Sequence, residues 1–291
     1  MWIREDMKII RSIKEMQAFS ESIRNKGQKI AFVPTMGYFH DGHLSLMREG
    51  RRHSNCLAIS IYVNPTQFGP NEDFEKYPRD FERDKDLALG VGVDVIFYPE
   101  DKEMYPENYQ TYVNVENVTQ NLCGISRPGH FRGVTTVCAK LFNIVKPHYA
   151  IFGKKDFQQL IAIKRMVQDL DMDLEIVGMT IVRESDGLAM SSRNVYLKDK
   201  ERESALSLSR SLKLAKQMYD SGERDALNIL TAVRKFIEGQ PFAQIDYAKI
   251  CDTTTLNDIE HLDGESVLAL AVKISKTRLI DNYVFGDALD I

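Results

Sequence analysis

Through roughly the first 180 residues, short apolar runs alternate with stretches of helical periodicity, and this alternation limits the fold more than any other feature. KIAFV (29–33) reads as a buried strand, and HLSLMREGRRHSN as the helix after it. LAISIYV (57–63) is a second strand, closed by the turn NPTQFGPNED. Pro78 marks a helix start for RDFERDKDLALG, and VDVIFYP (93–99) is a third strand. TTVCAKLFNIVK (135–146) is amphipathic, YAIFG (149–153) is strand-like, DFQQLIAIKRMVQDL is helical and LEIVGMTIV (174–182) closes the series. Parallel neighbours need a crossover, so strands spaced by helices build βαβ units on a parallel sheet. The expectation is an α/β, Rossmann-like domain over residues 1–182. Beyond it the order changes: helical segments at 199–219 and 223–238 precede IDYAKICD, SVLALAVKI and TRLIDNYVF. That order predicts a smaller α+β domain over 183–291 with an antiparallel sheet.

Composition excludes several classes. A formal net charge of −4 gives no basic field to hold nucleic acid or an acidic membrane. The four cysteines form no CxxC pair, which argues against thiolate zinc and against a disulfide framework. A reduced, cytoplasmic protein is expected. The N-terminus, MWIREDMKII, lacks the apolar core of a signal peptide, and no run of about 18 apolar residues occurs.

Ligands on open parallel sheets gather beyond the carboxyl ends of the strands. Four polar segments begin there: PTMGYFHDGH, NPTQF, FGKKD and VRESDGLAMSSRN. In the first, a helix N-terminus offers unpaired N–H groups and the positive end of its dipole, which suits phosphate. Gly42 permits close approach of a nucleotide, and His40 and His43 add donors on one face. A turn with solvated histidines fits the letters HxGH as well; the preceding strand favours the ligand. GLAMSSRN (187–194) supplies a glycine, the hydroxyls of Ser191 and Ser192, and the permanent cation of Arg193. In FGKKDFQQL (152–160), Lys154 and Lys155 follow Gly153. Lys155 there would neutralise charge on an α-phosphate. Asp156 suits either an N-cap or a nucleotide contact, and Gln158 and Gln159 read as surface positions of a helix. Asn64 and Gln67 of NPTQF suit hydroxyls and a carboxylate. RPGHFRGV (127–134) carries Arg127, His130 and Arg132 ahead of a helix, and an arginine there would suit a small carboxylate.

HxGH at the exit of a first strand resembles the HIGH signature of nucleotidyltransferases and class I aminoacyl-tRNA synthetases, with GLAMSSRN in the place of the synthetases' KMSKS loop. The ordered set PTMGYFHDGH, VNPTQF, YPRD, RPGHFRGV, FGKKDFQQL and GLAMSSRN is similar, more narrowly, to the pantoate–β-alanine ligase family. The resemblance implies that pantoate and ATP form pantoyl adenylate and pyrophosphate, and that β-alanine then yields pantothenate and AMP. It implies ATP contacts at Met36, Gly37, Tyr38, Phe39, His40, Asp41, Gly42 and His43, with His43 as proton donor. Further ATP contacts are implied at Gly153, Lys154, Lys155, Asp156, Val182, Met190, Ser191, Ser192 and Arg193. Gln67 and Gln159 match pantoate-binding positions, and Gln67 also serves β-alanine. Asp84 matches a carboxylate associated with Mg²⁺ that rides mainly on the phosphates. A homodimer is implied, and Met7 is an alternative start to Met1. A simple nucleotidyltransferase and a nucleotide-binding protein without turnover are the competing readings.

Overall fold

In the computed structural model, which describes residues 7–70 and 72–289, the chain divides into two compact units. The first comprises residues up to Val115, with Arg127–Lys154 and Ala162–Thr180; the second comprises Glu116–Ser126, Lys155–Ile161 and the chain from Ile181 onward. The possible start at Met1 lies outside the described residues.

Six parallel strands form the sheet of the first unit: β1 (Lys8–Ile10), β2 (Ile30–Thr35), β3 (Cys56–Ile61), β4 (Val95–Phe97), β5 (Tyr149–Gly153) and β6 (Glu175–Met179). Their order is β1-β4-β3-β2-β5-β6. The chain therefore leaves β2 outward through β3 and β4, then returns to lay β5 on the other side of β2. β2 and β5 flank the point where strand order reverses, which opens a crevice at their carboxyl ends. β3 is buried at every position and β2 at every position but Pro34, as strands covered by helices on both faces must be. Ala31, Val33, Leu57, Ile59, Ile96 and Ile151 form the centre of this core with Met47.

Every anticipated strand is present. Among the elements that go beyond the expectation are β1 and the helix Ile13–Arg24, which buries only Met16 and Ser20. A three-residue edge strand and so thin an apolar stripe carry little periodic signal. The helix expected from residue 135 instead runs His130–Val145, starting after Gly129 at φ +83°. Part of the stretch read as a basic loop is thus its first turn.

The second unit has its own core and a three-stranded antiparallel sheet, β7 (Ala243–Asp252), β8 (Ser266–Ile274) and β9 (Thr277–Val284), in that order. Leu212, Ile229, Val233 and Ile237, from helices Ser207–Asp220 and Ala226–Glu238, share that core with Leu268, Leu270 and Val272 of β8. Among the described residues, no helix is long and apolar enough to cross a membrane, and all four cysteines are buried and free.

Candidate active site

The turn after β2 is shaped by what its main chain can reach. Thr35 Oγ1 donates to the Ser60 carbonyl (2.6 Å) and accepts the Gly37 N–H (3.2 Å). The chain then passes through two left-handed residues, Gly37 (φ +86°) and Tyr38 (φ +51°). A Cβ at Gly37 would stand 2.9 Å from Asp84 Oδ2 and 3.0 Å from Ile61 Cγ2, so conformation and space both require glycine. Asp84, 1% exposed on helix Phe81–Gly90, accepts the N–H groups of Tyr38 (2.5 Å) and Phe39 (2.7 Å). Arg83 completes the brace by donating to the Phe39 carbonyl at 2.9 Å. Burial pushes the Asp84 carboxyl above the usual aspartate range, against the pull of these two N–H groups and of the Arg83 charge.

Helix Asp41–His53 follows, with His40 at its N-cap. The His40 N–H donates to His43 Nδ1 over a long 3.4 Å, and the two rings lie 4.1 Å apart at a 39° tilt. With Nδ1 accepting, a neutral His43 carries its proton on Nε2 and is a donor there. The helix N-terminus and both imidazoles thus stand beyond β2, next to the β5 strand that ends at Gly153. A cavity of about 350 Å³ extends along this edge, past the ends of β2, β3 and β4, lined in part by Met36, Gly37, Tyr62, Asp84 and Tyr98.

NPTQF forms a short turn of 3₁₀ helix, Pro65–Gln67. Asn64 is 1% exposed and uses its whole hydrogen-bonding capacity inside the protein. Its Oδ1 accepts from Thr66 N (3.4 Å), Thr66 Oγ1 (3.0 Å) and the Tyr105 hydroxyl (2.9 Å). Its Nδ2 donates to Gln67 Oε1 and to the Gly133 carbonyl, both at 3.1 Å. Gln67 Nε2 in turn points at Met36 Sδ (3.4 Å), which joins this turn to the one after β2. Arg132 is exposed, its guanidinium 3.9 Å from the centroid of the Tyr112 ring.

The remaining candidates, from Lys155 onward, belong to the second unit. Lys155 lies in the 3₁₀ turn Lys154–Asp156, its carbonyl held by Asn282 Nδ2 at 2.9 Å, while Asp156 is exposed and Gln159 half-buried. Gln158 differs from the surface position expected of it. It is 6% exposed, accepts from Cys123 N (2.9 Å) and donates to the Val118 and Asn121 carbonyls (2.9 and 2.8 Å), so it stitches Glu116–Ser126 to this unit.

Val182 and Met190 are paired by the Met190 N–H to Val182 carbonyl bond (3.0 Å), in a small hairpin that turns at Gly187 (φ +92°). Arg183 anchors it to Asp281 by two hydrogen bonds (2.7 and 3.0 Å). Ser191 caps the following 3₁₀ turn by accepting the Arg193 N–H at 3.2 Å, and Ser192 is buried. GLAMSSRN is therefore a braced hairpin and cap, with Gly187 serving its turn.

Among the described residues, no group of three His, Cys, Asp or Glu side chains could hold a metal. Asp84 has both oxygens on main-chain N–H groups. The described residues thus offer no protein-built metal cage. Residues that shape the site without a local sequence signal include Ser60, Glu72, Tyr105 and Asp281, each identified only by what it touches across the fold.

The profile of the family described as pantoate-beta-alanine ligase matches residues 8–284. A pantothenate synthetase of Syntrophus aciditrophicus is 70% identical over 285 residues, spanning 98% of this chain and 100% of that protein. One from Geobacter sulfurreducens is 60% identical, spanning 97% and 99%. The crystal structure of pantothenate synthetase from Thermus thermophilus superposes with a TM-score of 0.90 at 41% identity, over 95% of this chain and 99% of that one. A pantoate-beta-alanine ligase from Francisella tularensis, complexed with beta-gamma ATP and beta-alanine, gives 0.80 at 32%, over 98% and 100%. With a matching profile, close relatives along the full length and a shared α/β architecture, the chain belongs to the pantoate-beta-alanine ligase family.

Proposed function

We propose that this ligase joins pantoate to β-alanine in two steps on one ATP. A pantoate carboxylate oxygen attacks the α-phosphorus, the bond to the β-phosphate oxygen breaks, and pyrophosphate leaves with that electron pair. The β-alanine amine, having lost a proton, then attacks the acyl carbon of pantoyl adenylate, and AMP departs as the amide forms. Adenylation needs little covalent help; it needs alignment and stabilisation of the charge moving onto pyrophosphate. The observation that carries the reading is the turn after β2: a helix N-terminus, with His43 Nε2 as a donor, beside the point where strand order reverses. His40 and His43 serve the triphosphate from this turn. Lys155 and Arg193 supply side-chain cations, and Met190 to Arg193 and Gly153 to Asp156 complete the nucleotide contacts. Gln67 and Gln159 bind pantoate, with Asn64 fixing the Gln67 carboxamide.

Mg²⁺ rides mainly on the nucleotide's phosphates, and the resemblance of motifs associates Asp84 with it. The resemblance of motifs supports a homodimer. A cytoplasmic location accords with four free cysteines. Pantoate-dependent exchange of labelled pyrophosphate into ATP, run without β-alanine, tests the reading. Exchange is expected. Active ligase that gives none would remove the adenylate.

A further inference from the structure

The Gln67 carbonyl is gripped from a direction the reaction does not explain. His130 Nδ1 lies 2.8 Å from it, and Arg127 Nη2 donates to it at 3.2 Å. Arg127 Nη1 also meets His130 Nε2 at 3.0 Å. A guanidinium only donates, so Nε2 accepts and the His130 proton sits on Nδ1, aimed at the carbonyl. Arg127 is itself fixed by a two-point contact with Glu72, Nε to Oε1 at 2.6 Å and Nη2 to Oε2 at 2.5 Å. All three side chains are partly shielded: those of Arg127 and Glu72 are 18% and 26% exposed, and His130 is half-buried.

Close packing keeps the grip short. A Cβ at Gly133, on the same helix as His130, would lie 2.3 Å from the Thr66 carbonyl, so only glycine lets the helix approach the Pro65–Gln67 turn. Asn64 holds the Gln67 side chain from the other direction. Main chain and carboxamide of one residue are thus fixed by separate sets of groups.

We propose that Glu72, Arg127 and His130 form a positioning clamp that sets the affinity for pantoate through Gln67. The inference rests on the reading of Gln67 as a pantoate contact. Three side chains from two distant stretches of sequence cost ordering entropy, and the return is a carboxamide held ready before the acid arrives. Arg127 and His130 act as positioning residues here.

Steady-state kinetics on Glu72→Gln, His130→Asn, His130→Leu, Gln67→Ala and the double variant Glu72→Gln with Gln67→Ala test it. Glu72→Gln and His130→Leu are expected to raise the pantoate KM by about tenfold and leave the ATP KM within about twofold. His130→Asn, whose Nδ2 replaces the Nδ1 donor, should restore most of the loss. On the Gln67→Ala background, Glu72→Gln should add nothing, because the clamp works through the side chain already removed. Full additivity, or an unchanged pantoate KM in both Glu72→Gln and His130→Leu, overturns the clamp while the Gln67→Ala loss upholds the pantoate contact. An unchanged pantoate KM in Gln67→Ala itself overturns the contact and the clamp's purpose together. Imidazole ¹⁵N shifts check the geometry without substrate: the Nδ1–H tautomer of His130 is expected, and an Nε2–H tautomer would refute the grip.

Discussion

The turns at Gly37 and Gly187 share a left-handed glycine and nothing else in how they are held. At Gly37, a single buried carboxylate accepts two successive main-chain N–H groups, and the sheet behind it supplies Thr35 and Ser60. At Gly187, side-chain ion pairs do the holding: Arg183 with Asp281, and Arg202 with Glu184 and Asp186. The first arrangement fixes the main chain that leads into a helix N-terminus. The second fixes a short hairpin by long side chains, and what it presents includes the Arg193 cation.

The largest expected effect is on the side-chain-held turn. Arg183 and Asp281 are 8% and 1% exposed, and removing one member of a buried pair strands the other charge. Arg183→Met is therefore expected to cost about 3–5 kcal/mol in denaturant unfolding. A loss under about 1 kcal/mol would show that the hairpin draws its support from elsewhere.

Next comes charge without structure. Lys155→Ala should lower pyrophosphate exchange by at least about 10²-fold, the scale of losing one group that stabilises developing charge. Its unfolding midpoint should stay put, since the Asn282 contact is to the Lys155 main chain. A variant near full rate would make Lys155 peripheral.

Asp84→Asn probes the main-chain-held turn more gently. The shape is kept, but one acceptor becomes an NH₂ that faces an N–H of Tyr38 or Phe39. An unsatisfied buried donor costs about 1–3 kcal/mol. Exchange should fall by about tenfold, with the ATP KM carrying most of the change. An unaltered ATP KM would mean that the geometry of this turn is not what the nucleotide reads.

These contrasts also explain what is legible in the sequence. The parallel sheet, the antiparallel module and the position of HxGH follow from period, turn residues and strand exits, which are local. Lys155 and Arg193 stand out as candidates for the same reason: cations in glycine-bearing segments after strand-like runs. Asp84 is reached only through family resemblance, because an aspartate in FERDKDLALG looks like any exposed helical acid until the turn it braces, some 45 residues earlier, is in view. Gln158 misleads likewise; it bonds a segment more than 30 residues away. Periodicity starts the helix from His130 five residues late because Gly133 breaks the local pattern for a close approach that no local pattern can show. Long-range hydrogen bonds to buried polar groups decide these cases, and periodicity is silent about them.

The smallest effect concerns the Glu72–Arg127 pair, a side-chain contact like that at Gly187 but placed in the first unit. Burial alone would raise the Glu72 carboxyl; the Arg127 hydrogen bonds and charge and the Gly69 N–H outweigh it, so the carboxyl titrates below its ordinary 4.5. A carboxyl depressed in the folded state adds stability above the unfolded pKa and loses it as pH falls through the folded one. Wild type should therefore exceed Glu72→Gln in stability by on the order of 1 kcal/mol at pH 7, given the partial exposure of the pair. The gap should narrow as the pH drops below about 4.5 and close once Glu72 is protonated. Melting both proteins across that range reads the difference. A gap that persists unchanged at acid pH would mean that Glu72 holds Arg127 through shape and not through charge, and the contrast between main-chain-held and charge-held turns would then stop at the second unit.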